Sequence, residues 1–212
     1  VKRMKGLRII RMADAERDVR DEVAEVFVDG YYNELSYFTR DRSILKSAFK
    51  RLFSPEALYL AEESGVIVGM AGCSSNKLRA MPVELQPLQE AFGINTGELA
   101  YNVMSGEFNS PLPYDDDTGY IECVATLERA RCRGVSTSLM HYVMEELPYR
   151  RYVLEVTDRN ETAIRLYRKL GFQEIERRAE DHAEQRDFNE RIYMEWRKTG
   201  DLKGIELEAG QM

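Results

Sequence analysis

Between Arg129 and Met140 the sequence reads RARCRGVSTSLM, with three arginines and a glycine within six residues, after an apolar run and ahead of a helical pattern. A helix that begins at a glycine just behind a strand leaves its first N–H groups without partners, and the positive end of the helix dipole lies behind them. Such a corner can seat a phosphate. Gly134 allows close backbone approach, the small Ser136 and Thr137 leave room, and Arg129, Arg131 and Arg133 add positive charge. The same residues also fit an ordinary solvated loop followed by a helix whose Val135, Leu139, Val143 and Leu147 pack inward. Two carboxylates, Glu122 in YIECVAT and Glu155 in RRYVLEV, interrupt otherwise apolar runs. A carboxylate there is costly unless it is paired, hydrated or used in proton transfer, so each is either a base or a salt-bridge partner.

Composition limits what this chemistry can serve. The chain has 212 residues, enough for one sizeable core, and carries 30 basic against 37 acidic side chains, a net charge of −7. That balance argues against nucleic acid and against an anionic membrane surface, so any polyanion must be small and held locally. The three cysteines, Cys73, Cys123 and Cys132, are widely spaced and read as reduced thiols, while the two histidines, His141 and His182, stand in no ligand spacing, so no metal is expected. No apolar run approaches the roughly 20 residues that cross a bilayer. A soluble, cytoplasmic protein is expected.

The elements that must position these residues follow from periodicity. LRIIRM reads as a strand, with Asp14 capping a helix that runs to about Tyr31, and a second helix fits Arg42 to Phe53. ALYLAEE and VIVGMAGC form a hairpin about Ser64-Gly65. The stretch 76–118, with four prolines and the run DDD at Asp115 to Asp117, is an insertion holding short helices around Val83 to Phe92 and Glu98 to Met104, serving as a substrate lid or as surface decoration. Then come a strand GYIECVAT, a helix from Gly134 to Glu146, a strand RRYVLEV and a helix from Asn160 to Leu170, which imply a parallel pair with a crossover. GFQEIERRAE and FNERIYMEW close the sheet, and ERIYMEW offers an edge for pairing between subunits. The domain is expected over 1–197, with 198–212 a polar tail.

Neither GxxxxGK[ST] nor GxGxxG occurs. Arg131-Cys132-Arg133-Gly134-Val135-Ser136 instead resembles the pyrophosphate loop of the GCN5-related N-acetyltransferases, Arg or Gln, two residues, Gly, any residue, Gly or Ala, with Ser136 the one departure. NETAIRLYRKLGF, Asn160 to Phe172, resembles that family's following helix, and YIECVAT its central strand. The likeness extends over about 6–197, its specific motifs over Tyr120 to Phe172.

The resemblance implies an α/β fold: a single mixed, mostly antiparallel sheet with a central splayed parallel strand pair and helices on both faces. It implies acetyl-CoA as cosubstrate, its pantetheine arm along the backbone of Val124, Ala125 and Thr126, its phosphates at Arg131, Cys132, Arg133, Gly134, Val135, Ser136 and Thr137, and Asn160 nearby as a helix cap able to reach the pantetheine amides. An amine with a pKa near 10 must lose a proton before attack, for which Glu122 and Glu155 are the candidates. Glu155 lies twelve residues before Tyr167, a spacing similar to that in the family's ribosomal-protein N-terminal acetyltransferases. Tyr167 is the candidate general acid toward the departing thiolate, and is equally a member of the helix stripe Ala163, Leu166, Tyr167 and Leu170. The implied activity is acetyl transfer to a primary amine of a small molecule or peptide in a ternary complex. The alternative is a CoA-binding sensory or interaction module without turnover.

Overall fold

Alternating and helical periodicities resolve into seven strands and seven helices in a computed structural model that describes residues 6–181 and 188–198. Two units account for the chain: Val1–Asp116 with Tyr120–Leu147, and Asp117–Gly119 with Pro148–Met212. Among the described residues no helix is long and apolar enough to cross a membrane.

The first unit opens with β1 (Leu7–Arg11), followed by α1 (Arg20–Gly30), α2 (Tyr32–Leu35) and α3 (Arg42–Phe49). Asp14 does not cap α1. It pairs with Arg11 at 2.9 Å, while Asp18, nearer the true start, accepts from the Arg20 amide at 3.1 Å. Asp41 caps α3, accepting from the amides of Ser43 and Ile44 at 2.8 and 3.3 Å. β2 (Leu58–Glu63) and β3 (Val66–Ser74) form the expected hairpin, whose turn residues Ser64 and Gly65 take φ of 53° and 79°, the two left-handed positions of a tight type I′ turn. β1, β2, β3 and β4 (Thr118–Thr126) pair antiparallel in that order. α6 (Val135–Glu146) lies close on β3: a Cβ on Gly69 would stand 2.6 Å from Val135 Cγ1. Phe27 of α1 packs on Phe49 and Phe53 at centroid distances of 5.1 and 5.3 Å, which fixes α1 and α3 together.

The insertion is largely helical: α4 (Leu85–Phe92) matches the first expected helix, and α5 (Ile94–Phe108) is longer than the second. The two cross at Gly97, where an added Cβ would meet the Gln89 Cα at 2.5 Å.

The second unit holds β5 (Arg151–Thr157), α7 (Glu161–Lys169), β6 (Gln173–Ala179) and β7 (Glu190–Arg197). Here β7 pairs antiparallel with β5 on one side and β6 on the other. The expectation that ERIYMEW provides a free edge is therefore corrected, because chain order is not spatial order. β6 is the outer strand of this unit, exposed throughout and bearing Glu174, Glu176, Arg177 and Arg178, charges that discourage further pairing. His182 and most of the tail fall outside the described residues.

Gly97→Ala tests the helix crossing. In an isolated helix the change gains up to about 1 kcal/mol, but at this crossing the methyl displaces backbone, so a net loss of about 1–3 kcal/mol is expected in urea unfolding.

Candidate active site

β4 departs from regular pairing where the chemistry is expected. Glu122 faces Gly72 and Ala125 faces Met70, so Cys123 and Val124 together stand opposite the single residue Ala71. This is a β-bulge, and Cys123 takes φ 54°, unusual for a residue with a side chain. The bulge turns backbone out of the ladder at the residues expected to carry a pantetheine arm. Tyr31 donates to the Val124 carbonyl at 3.4 Å, and a Cβ on Gly30 would stand only 2.7 Å from Ala125 Cβ, so the end of α1 packs closely on this stretch.

Beyond β4 a short turn, Glu128–Ala130, leads into the arginine-rich loop. Cys132 has φ 58° and Gly134 has φ 83°, whereas Arg133 between them is not left-handed. Left-handed residues at such close spacing occur in the backbone concavities that bind anions. The first bond closing α6 runs from the Ser138 amide to the Gly134 carbonyl at 2.9 Å, which leaves the amides of Val135, Ser136 and Thr137 outside the helix's own ladder. The hydroxyls of Ser136 and Thr126 lie 2.8 Å apart and join the first turn of α6 to the end of β4. These backbone and hydroxyl groups fit a pyrophosphate.

The arginines divide. Arg131 donates through Nε to the Thr126 carbonyl at 3.1 Å and pairs with Asp29 at 3.4 Å, bracing the loop, and Arg133 pairs with Glu63. Arg129 has no ion pair among the described residues and lines a cavity of about 500 Å³ beside Arg42, Lys46 and Glu128. Asp29 also accepts from the Glu128 amide at 2.8 Å and pairs with Arg42 at 3.3 Å. The sequence reading missed this acid. Its place at the C-terminal end of α1, where the helix dipole disfavours negative charge, was the available signal.

Glu122 is partly buried, with its side chain 8% exposed. It accepts from the Ser74 hydroxyl, from Arg79 at 2.9 Å and from the Ala80 amide at 3.3 Å. Cys73 and Cys123 lie nearby, their thiols pushed well up by burial and then by the Glu122 charge, which makes both inert at neutral pH. Cys132 is exposed.

In the second unit Glu155 pairs with Arg191, which also pairs with Glu180 at 2.7 Å. Tyr193, opposite Glu155 in the β5–β7 register, has its hydroxyl pKa raised by burial first and by the Glu155 charge next. Arg191 and Tyr193 are two residues apart on one strand face, so alternation in ERIYMEW could have flagged them. Asn160 caps α7, its Oδ1 accepting from the Ala163 amide at 3.1 Å. Tyr167 is 7% exposed, with its ring 5.9 Å from that of Phe172, and burial alone pushes its hydroxyl pKa up to about 12. It therefore keeps its proton at neutral pH.

A bulged strand, a turn with two left-handed residues and a helix whose first amides lie outside its own ladder thus follow one another from β4 to α6. The chain belongs to the acetyltransferase (GNAT) family, which matches residues 19–172 and supports acyl transfer as its chemistry. It is similar in fold to an N-acetyltransferase from Staphylococcus aureus Mu50, with 17% identity, 89% of this chain and 100% of that chain covered, and a TM-score of 0.59. It is likewise similar to the ribosomal-protein-S18-alanine N-acetyltransferase from Escherichia coli, at 15% identity, 92% and 97% coverage and a TM-score of 0.54. A third likeness is to a GNAT family acetyltransferase from Elizabethkingia anophelis with acetyl-CoA bound, at 14% identity, 92% and 99% coverage and a TM-score of 0.51. No curated protein matches the chain. The mixed α/β fold expected from the sequence is the fold of these proteins.

Burial of Tyr167 has a measurable consequence in alkali. Above about pH 10 the unfolded chain releases this proton, while the folded chain holds it to about pH 12, so the folded state binds more protons in that window and loses stability as pH rises. Tyr167→Phe should remove up to about 1.4 kcal/mol per pH unit from the alkaline slope, read by urea unfolding between about pH 9 and 11.

Proposed function

We propose that the protein transfers the acetyl group of acetyl-CoA to a primary amine of a small molecule or peptide by direct attack in a ternary complex. The observation that carries this reading is the run of amides from Val135 to Thr137, without partners among the described residues, behind left-handed Gly134, directly after bulged β4 and inside the family's motif. In this reading acetyl-CoA supplies the activated thioester, and the chain's own residues bind, orient and move protons. Backbone of Val124, Ala125 and Thr126 holds the pantetheine arm. The amides from Cys132 to Thr137 hold the phosphates, with Arg131 and Arg133 adding positive charge at the loop. Asn160 sets the start of α7.

Glu122 and Glu155 are the candidate bases for the incoming amine. Each is engaged by an arginine, Arg79 or Arg191, so accepting a proton disrupts an ion pair. Tyr167 supports the leaving thiolate. With its pKa near 12 against about 8.5 for a thiol, complete transfer is uphill by roughly 5 kcal/mol, so its part is to donate a hydrogen bond to the sulfur. The engagement of both glutamates is also the observation that favours a second reading, a CoA-binding module without turnover. Release of free thiol from acetyl-CoA across a panel of amines separates the two.

Gly134→Glu places bulk and negative charge at the phosphate seat and should abolish acetyl-CoA binding in isothermal titration, and undiminished affinity would remove the seat from this position. Once an accepted amine is found, Tyr167→Phe should leave acetyl-CoA affinity unchanged and lower kcat by roughly 10²-fold, whereas a purely packing role leaves kcat intact. Of Glu122→Gln and Glu155→Gln, the variant lacking the base should lose most rate at low pH and recover as rising pH supplies neutral amine. Two parental pH profiles would exclude both.

A further inference from the structure

Arg79 ties the insertion to β4, beside the Ala80 amide, which donates to Glu122 Oε1 at 3.3 Å, and the stacked rings of Tyr114 and Tyr120. The Arg79 side chain is 12% exposed and sits just before the start of the helical pair. Its guanidinium donates to the carbonyls of Ser110 and Glu107, at 2.8 and 3.2 Å, and to Glu122 Oε2 at 2.9 Å. The two carbonyls mark the C-terminal end of α5, where the helix dipole favours a cation. Asn109 adds a reciprocal clasp, accepting from the Val83 amide and donating to the Val83 carbonyl, both at 2.8 Å. Ser74 completes the network: its hydroxyl donates to Glu122 and accepts from the Ala80 amide at 2.7 Å. Glu122 in turn lies one residue ahead of Cys123, where the bulge begins.

Stability alone does not account for this arrangement. A buried ion pair of this kind is often matched or exceeded by apolar side chains of similar volume. Here the arginine also leaves its Nε as a buried polar atom without a partner among the described residues. A network that retains an unsatisfied buried donor is a place to look for a role beyond packing.

We propose that Arg79 is a positioning residue: through Glu122 it fixes β4 immediately ahead of the bulge and couples the helical insertion to the strand that carries the pantetheine arm. This rests on the acetyl-CoA reading above. The insertion then acts as a brace on the cofactor strand, and whatever displaces α5 changes acetyl-CoA affinity.

The test uses three variants of the full chain. Arg79→Met leaves Glu122 buried without its cation and can unfold the chain, so Arg79→Met/Glu122→Met removes both charges together. Arg79→Lys keeps the charge but lacks the planar fork that reaches two carbonyls and a carboxylate at once. Hydrogen exchange of peptides covering β4 and titration with acetyl-CoA are the readouts. The double variant is expected to melt near the parent temperature, yet to exchange β4 amides about tenfold faster and to bind acetyl-CoA about tenfold more weakly, with Arg79→Lys in between. Parental β4 exchange and parental affinity in a folded double variant, or in Arg79→Lys should the double variant not fold, overturn the proposal. A parent that binds no acetyl-CoA overturns the functional reading instead, and β4 exchange alone then decides whether Arg79 positions the strand.

Discussion

An α-helix cannot satisfy its own first amides, and the turn from β4 into α6 is organised around that constraint. Gly134 at φ 83° starts α6 so that three N–H groups emerge together just beyond β4. A residue with a Cβ is strained there, which is why the loop resolves on a glycine. The surrounding side chains keep the corner in shape more than they supply its charge. Arg131 is tied to Thr126 and Asp29, Arg133 to Glu63, and the Ser136–Thr126 hydroxyl contact joins helix to strand. The charges of Arg131 and Arg133 are thus offset by Asp29 and Glu63, while the first amides of α6 stay outside its ladder.

Two partly buried carboxylates with arginine partners shape the rest. Burying Glu122 or Glu155 alone is unfavourable by several kcal/mol, and each is accompanied by an arginine from a segment distant in sequence. Arg79 comes from the insertion and Arg191 from the last strand. Apolar side chains of similar volume often match or exceed the stability of such pairs, whereas removing one partner alone is strongly destabilising. Burial first, and the Glu122 charge next, raise the thiols of Cys73 and Cys123, while Cys132 is exposed.

Much of the architecture was legible because local physics specifies it. The turn at Ser64-Gly65, the cap at Asn160 and the start of α6 at Gly134 each follow from a residue whose preferred backbone or hydrogen bond leaves little choice. The start of α1 was misplaced because Asp14 is able to cap a helix but pairs with Arg11 instead, and α1 begins after Val19 with no side-chain cap.

By itself the sequence determined the order of elements, the glycine-led helix and the presence of two carboxylates in apolar strands. Tertiary structure decided what those groups touch. The bulge at Cys123 and Val124 depends on register against β3, which no local propensity encodes. The ion-pair partners Arg79 of Glu122, Arg191 of Glu155 and Asp29 of Arg131 come from 43, 36 and 102 residues away along the chain. The place of β7 between β5 and β6 is likewise a matter of pairing rather than chain order. Ion pairing and strand pairing are long-range choices among many residues of suitable type, so one sequence names the participants while only the folded chain selects the pairs.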